Sequence, residues 1–424
     1  MKSRKGFVVI LTVLTLVVAE PHRFDNHRMY RLRVERDEQL QVLKSLKTGQ
    51  NSYEYFDEPR QTGQELDIII PPTLQSEFET ILKDKEFSAK LVINNLQDLV
   101  DRERPQTDDG EFGWDAYHSV DTINAWLYSL EEQYPEVTVI KGGSTYEGRE
   151  ILGVNINRNP EQNPGVFIES QIYANEWLAS ASTTWIINKL LTATEAEPEI
   201  KDIADNINWY IFPLINADGY EYSRNVYRLW KKTRSKQGFI CNGVDANRNW
   251  DVNWEKGGIG SAANMCEEKY AGPTVFSEVE TRTLSEYILS IREHLGFYLA
   301  FHSAGNALMF PWGHTRDRAP DYFLFFDIAL ATANAISIPY GTFYRIDSAY
   351  VFSPTTGGST DWALNTLGIP GFTYKFRDRN PTSGAQYGVL APPEEIQPNA
   401  EEVLHSLITL VQKATAHGYL VFRN

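Results

Sequence analysis

The chain has 424 residues, 42% of them hydrophobic and 23% charged, the composition of a folded globular protein with room for more than one domain. Its formal net charge of −16 argues against nucleic acid or an anionic membrane surface as a partner.

In chain order, residues 1–19 read as an export signal. Lys2, Arg4 and Lys5 are followed by the apolar run Phe7–Val18, and the small residues Val17 and Ala19 precede Glu20. The run is too short to cross a bilayer. No other stretch reads as long and apolar enough to do so, so a soluble, secreted, extracellular protein is expected. Residues 20–100 alternate extended and helical patterns. Tyr30–Val34, Leu66–Ile70 and Ala89–Ile93 read as strands, and Asp37–Leu46 and Leu74–Leu82 as helices. That pattern predicts a small α+β domain. The charged stretch Asp101–Asp109 has no apolar side chain before Phe112 and predicts an exposed linker over 101–111.

Over 112–424 the pattern becomes strands alternating with longer helices, an α/β domain with a mixed central sheet. Val137–Ile140, Gly165–Ile168 and Trp209–Phe212 read as strands, and Trp177–Leu191 and Ser277–Leu289 as helices. The only cysteines, Cys241 and Cys266, are read as one disulfide closing a short loop, worth roughly 3 kcal/mol. A metal site is the weaker reading, because no His or second Cys flanks either thiol.

Four phrases carry the chemistry: Ile172–Ser180 (IYANEWLAS), Gly243–Asp251 (GVDANRNWD), Phe301–Gly313 (FHSAGNALMFPWG) and Gly357–Trp362 (GGSTDW). In their order and spacing the chain resembles the secreted A/B-type zinc metallocarboxypeptidases. The layout of signal, activation domain, linker and catalytic domain matches too, and Cys241 and Cys266 fall where that family closes a disulfide. The resemblance implies a zinc held by a His-x-x-Glu pair and a distant His. It also implies a glutamate base, an oxyanion arginine, a mobile tyrosine and an Asn-Arg clamp for the substrate's C-terminal carboxylate.

Several of these positions differ here. The His-x-x-Glu segment reads Tyr173-Ala174-Asn175-Glu176, so Glu176 and His302 remain as metal ligands and Tyr173 stands at the third position. A neutral phenol is a poor zinc ligand. Lys375 stands at the base position, and an ammonium cannot accept a proton from a metal-bound water. At about 5 Å it would also repel a divalent ion by roughly 7 kcal/mol at an effective dielectric near 20. Lys231 replaces the oxyanion arginine, keeping charge without the guanidinium fork, and Ser353 replaces the mobile tyrosine, with Tyr350 nearby. The clamp is present as Asn247-Arg248, although Arg248 has the alternative of pairing with a neighbouring acid. Thr360 stands at the floor of the specificity pocket, neither apolar nor acidic.

The expectation is a secreted zymogen-like homologue, inactive or severely impaired, that binds a peptide or protein C-terminus and its own pro-domain as a monomer. The competing expectation is an active metallocarboxypeptidase with altered zinc chemistry. A Lys375–Glu176 ion pair is expected to fill the vacated metal position.

Overall fold

The structure, a computed structural model, describes residues 20–48, 53–55, 59–103, 112–159, 163–255 and 259–422. The expected export signal and residues 104–111 of the expected linker lie outside the described residues.

The first domain comprises β1 (Arg28–Arg33), α1 (Asp37–Thr48), β2 (Glu54–Tyr55), β3 (Glu65–Ile70), α2 (Gln75–Asp84), β4 (Ser88–Ile93) and α3 (Leu96–Glu103). Its antiparallel sheet has the order β2-β3-β1-β4. Alternation along β1 and β3 sends Leu32 and Ile68 into a core completed by Leu43 of α1 and Phe78 of α2. One boundary moves: α3 continues through Glu103, so Asp101, Arg102 and Glu103 are helical and not linker. The cause is tertiary. Glu103 is fully buried and meets Arg228 in a two-pronged pair, with both contacts at 2.7 Å.

The second domain runs α4 (Val120–Gln133), β5 (Val137–Ser144), β6 (Glu150–Ile156), β7 (Gly165–Ser170), α5 (Trp177–Thr192), α6 (Pro198–Asn206), β8 (Asn208–Phe212) and α7 (Ala217–Asn225). It continues with β9 (Lys236–Gln237), β10 (Cys241–Asn242), α8 (Val279–Ser290), β11 (Leu295–His302), β12 (Ala307–Phe310) and α9 (Tyr322–Tyr340). The chain ends with β13 (Arg345–Ser348), α10 (Ala349–Phe352), α11 (Ser359–Trp362), β14 (Gly371–Lys375) and α12 (Ile396–Ala416). Ser119 caps α4 by accepting from Thr122 N. The β9–β10 hairpin carries the disulfide between Cys241 and Cys266.

Eight strands form a mixed sheet in the order β13-β12-β14-β11-β7-β8-β6-β5. β14, β11, β7 and β8 are mutually parallel, while β5, β6 and the β12–β14 pair supply antiparallel contacts. β7 reads GVFIES and is buried at every position, as a strand covered by helices on both faces must be. α5 and α12 cover one face and α8 the other.

One sequence expectation needs correction. α9 is long and apolar enough to cross a membrane by length and composition. Its alternating residue types hid this, because Asp327, Thr332, Asn334 and Ser337 interrupt the apolar pattern. In the fold it is a core helix, burying Phe325, Ile328, Ala329 and Ile336 against the sheet and α12, and Gly341 ends it in the left-handed region at φ 72°.

Candidate active site

Three parallel strands deliver their C-terminal ends to one place, where open α/β sheets bind ligands. β7 leads into Gln171–Glu176, β11 ends on His302 and β14 on Lys375, and the last two are register partners. The turn after β7 is fastened from within. Gln171 Nε2 donates to the carbonyls of Tyr173 and Ala174, both at 3.0 Å, and Ala174 N donates to Lys231 O at 2.9 Å. Glu176 sits at the start of α5 without capping it, so its carboxylate is available to the site.

That carboxylate meets His302: Nδ1 lies 2.8 Å from Glu176 Oε2, and both side chains are buried. Nε2 of His302 has no hydrogen-bond partner among the described residues. The Tyr173 ring packs edge-on against His302 with centroids 4.9 Å apart, and Lys231 Nζ lies 4.0 Å from the phenol ring's centre. The Tyr173 hydroxyl accepts from Arg248 Nη1 at 3.1 Å. Burial raises the phenol above its ordinary pKa.

Asp245 organises the cations. It is fully buried, binds Lys231 Nζ at 2.8 Å and also pairs with Arg248 Nη1. Burial pushes its carboxyl up, but Arg248 and Lys231 outweigh that and hold it below the usual range. Arg248 Nε donates to Gly260 O at 2.5 Å, and only 3% of the side chain is exposed. The clamp arginine is therefore engaged by an acid three residues upstream, the alternative its sequence left open.

Tyr173, Arg248 and His302 line an open cavity of about 70 Å³, with Asn247, Ser353, Thr360, Thr373 and Lys375 on its wall. Asn247 Oδ1 accepts from Ser359 N at 3.0 Å, leaving the amide NH₂ as the donor it can offer a ligand. Thr360 is held by Thr373, whose hydroxyl lies 3.4 Å away. Gly305, at φ 146°, allows the aliphatic stem of Lys375 to pass: a Cβ there would lie 3.2 Å from Lys375 Cδ. Tyr350 is turned to Arg316, whose guanidinium is 5.5 Å from its ring centre.

The structure thus brings Tyr173, Glu176, Lys231, Arg248 and His302 into one contact network and places Ser353, Thr360 and Lys375 on the cavity beside it. The partner it gives Glu176 is His302, not the expected Lys375. Two participants were missed. Asp245 lies inside the phrase GVDANRNWD, and its spacing from Arg248 was the available signal. The Glu103–Arg228 pair had none, because it spans 125 residues. Arg228 also donates to Asn175 O at 2.8 Å and stacks 3.8 Å from the Trp177 ring centre, so the first domain reaches the turn that carries Glu176.

Fold and site together are an α/β domain with a polar cavity at its strand ends, preceded by an α+β domain that touches it. The zinc carboxypeptidase family model matches residues 123–406, and the carboxypeptidase activation peptide model matches 30–103. The chain belongs to the zinc carboxypeptidase family and carries that family's activation domain. It is 36% identical over 421 residues to zinc carboxypeptidase A 1 of Anopheles gambiae, covering 98% of this chain and 95% of the relative. It is 40% identical over 307 residues to a zinc carboxypeptidase of Simulium vittatum, covering 72% and 98%. Among solved structures, carboxypeptidase A from Helicoverpa armigera aligns with TM-score 0.81 at 24% identity, covering 94% of this chain and all of that one. Thrombin-activatable fibrinolysis inhibitor aligns with TM-score 0.85 at 23% identity, covering 93% and 100%.

The family implies zinc, and the donors present do not fit it. A catalytic zinc takes three protein ligands and keeps a fourth position open. Glu176 and His302, the pair the resemblance offers, would supply two. No third His, Cys, Asp or Glu joins them among the described residues. Where the resemblance expects a third ligand stands Tyr173, a phenol whose pKa burial has raised, whose oxygen accepts from Arg248 and whose ring lies beneath Lys231.

Proposed function

We propose that this protein is a secreted member of the zinc carboxypeptidase family that binds peptide or protein C-termini and does not hydrolyse them at an appreciable rate. The observation that carries this reading is the company of Tyr173. It stands where a third metal ligand is needed, and it is bonded to Arg248 and stacked under Lys231.

The chemistry follows from which groups can move a proton. Peptide hydrolysis needs an activated water and a base to accept its proton, and loss of either costs orders of magnitude in rate. Lys375, on the cavity wall, supplies an ammonium where a carboxylate would act. Binding asks less of the site: a cation and an amide donor facing a cavity are enough to orient a carboxylate. Lys375 and the Asn247 amide supply these, while Arg248 contributes charge from behind, where Asp245 and Tyr173 fix it. The threonine pair Thr360–Thr373 gives the pocket a small polar floor, which suits a short or polar C-terminal side chain. The export signal expected over 1–19 and the activation domain support secretion as a zymogen-like chain.

The test is titration of the processed protein with short peptides and their C-terminal amides, alongside a hydrolysis assay on the same peptides. Binding of free acids but not amides, without turnover, is expected. Equal binding of both forms, or chelator-sensitive turnover, contradicts the reading.

A further inference from the structure

β7 carries an acid where its surroundings are apolar. Glu169 is 1% exposed and lies between its register partners Ala300 of β11 and Phe212 of β8. Burying a carboxylate there is costly, and burial pushes its pKa up. Oε1 accepts from the Ser359 hydroxyl, and Oε2 has no hydrogen-bond partner among the described residues. An apolar side chain would fill the position without that cost, so what the acid adds is its bond to Ser359.

Ser359 opens α11, whose first three residues each hold one part of the cavity. Ser359 N donates to Asn247 Oδ1 at 3.0 Å, leaving the Asn247 NH₂ for a ligand. Thr360 stands on the cavity wall. Asp361 accepts from Gly313 N at 2.9 Å and lies 2.9 Å from His314 Nδ1. The segments that carry Asn247 and Ser359 are already laced by backbone: Trp250 N donates to Gly357 O at 3.1 Å, and Gly357 N to Val252 O at 3.0 Å. Glu169 is therefore not needed to bring them together. Its bond sets where the first turn of α11 sits, and with it the angle at which Ser359 N meets the Asn247 amide.

We propose that Glu169 is a positioning residue for carboxylate binding: through the Ser359 hydroxyl it seats the first turn of α11, so that Ser359 N holds the Asn247 amide with its NH₂ toward the ligand's C-terminal carboxylate. The inference rests on the binding reading above and adds to it a residue that touches no ligand. A hydrogen bond to a charged group is worth about ten-fold or more in an equilibrium, and a misplaced amide forfeits about that much affinity. Glutamine keeps an acceptor oxygen at the same reach, whereas leucine fills the space without one. Stability should respond differently, because leucine removes a buried carboxylate from an apolar layer. Loss of affinity without loss of stability separates positioning from architecture.

The experiment titrates the full chain, intact and cut within residues 104–111, with a short peptide free acid by calorimetry. In parallel, the side-chain amide resonances of Asn247, assigned by their loss in Asn247→Asp, are recorded without peptide. Glu169→Leu and Ser359→Ala should each weaken binding about ten-fold, and the double variant no further than either alone, because both break one bond. Glu169→Gln should stay within about two-fold of the parent, since its acceptor remains. The Asn247 resonances should move in Glu169→Leu and return to the parent position in Glu169→Gln, while the melting temperature of Glu169→Leu should not fall below the parent's. Unchanged Asn247 resonances in Glu169→Leu overturn the proposal. So do additive losses in the double variant, or a loss of affinity that tracks a lower melting temperature. A parent that binds no peptide while its Asn247 resonances follow Glu169 as described upholds the link from Glu169 to Asn247 and contradicts the binding reading alone.

Discussion

Replacing Asp245 by asparagine removes the one carboxylate that Lys231 and Arg248 share. The side chain is isosteric, so packing is kept while two cations lose their counter-charge. Arg248 is 3% and Lys231 20% exposed, and Asp245 is wholly buried. Breaking a buried pair by removing one partner costs about 3–5 kcal/mol, because the remaining charge stays desolvated. Because Arg248 and Lys231 both lose a partner, Asp245→Asn should fall within that range. At about 2.1 cal/mol/K of unfolding entropy per residue a domain of this size shifts by about 1.5 °C per kcal/mol, so the melting temperature should fall by about 5–8 °C. Scanning calorimetry with a denaturant titration of the same samples measures this. Adding Lys231→Met should recover part of the loss, because one stranded charge is then gone. A loss under about 1 kcal/mol for Asp245→Asn, or no recovery in the double variant, would show that solvent reaches these cations and that the network does not hold Tyr173 in place.

Two further perturbations test other parts of the structure. Glu103→Gln should release the activation domain once the chain is cut within residues 104–111, whereas the parent should retain it in gel filtration, because the buried Glu103–Arg228 pair joins the two domains. Equal retention would contradict that role. Glu280 is fully buried and its pKa is raised from 4.5 to about 7, first by burial and then by the neighbouring Glu278. The folded state therefore holds this proton more tightly than the unfolded chain. The stability it contributes is complete below about pH 4.5 and is lost as pH rises through about 7. Glu280→Gln should match the parent near pH 4 and exceed it by up to about 3 kcal/mol at pH 8, at about 1.4 kcal/mol per pKa unit. An equal difference at both pH values would refute this.

Much of the architecture was legible because the relevant signals are local. The alternating run Tyr30–Val34 gave β1, the buried-strand run Leu66–Ile70 gave β3 and the extended run Gly165–Ile168 gave β7, each to within a residue or two. The candidate site residues Glu176, His302 and Lys375 could be named for a different reason, the resemblance of the phrases that follow or end β7, β11 and β14, strands that lie side by side in the sheet. What could not be read was how those side chains choose partners. Lys375 and Glu176 have opposite charge and nearby backbones, which made an ion pair the natural expectation. The register of β11 and β14 instead leaves the Glu176 carboxylate to His302. Arg248 was expected as a ligand clamp because the family resemblance implies an Asn-Arg pair there, and the turn at Ala246–Arg248 gives it the alternative partner, Asp245. The end of the linker was misplaced for the same reason. Residues 101–103 are polar, and only a partner 125 residues away makes their burial favourable.

The central claim concerns the metal, and zinc content of the purified, processed protein tests it most directly. Elemental analysis by mass spectrometry should find far less than one zinc per chain after equilibration with excess zinc and desalting, with no chelator-sensitive release of amino acids from A-type or B-type peptides. The combined variant Tyr173→His with Lys375→Glu should then take up about one zinc per chain, since it restores three ligands and removes the adjacent ammonium. About one tightly held zinc in the parent, with turnover that a chelator abolishes and Lys375→Ala impairs, would contradict the account.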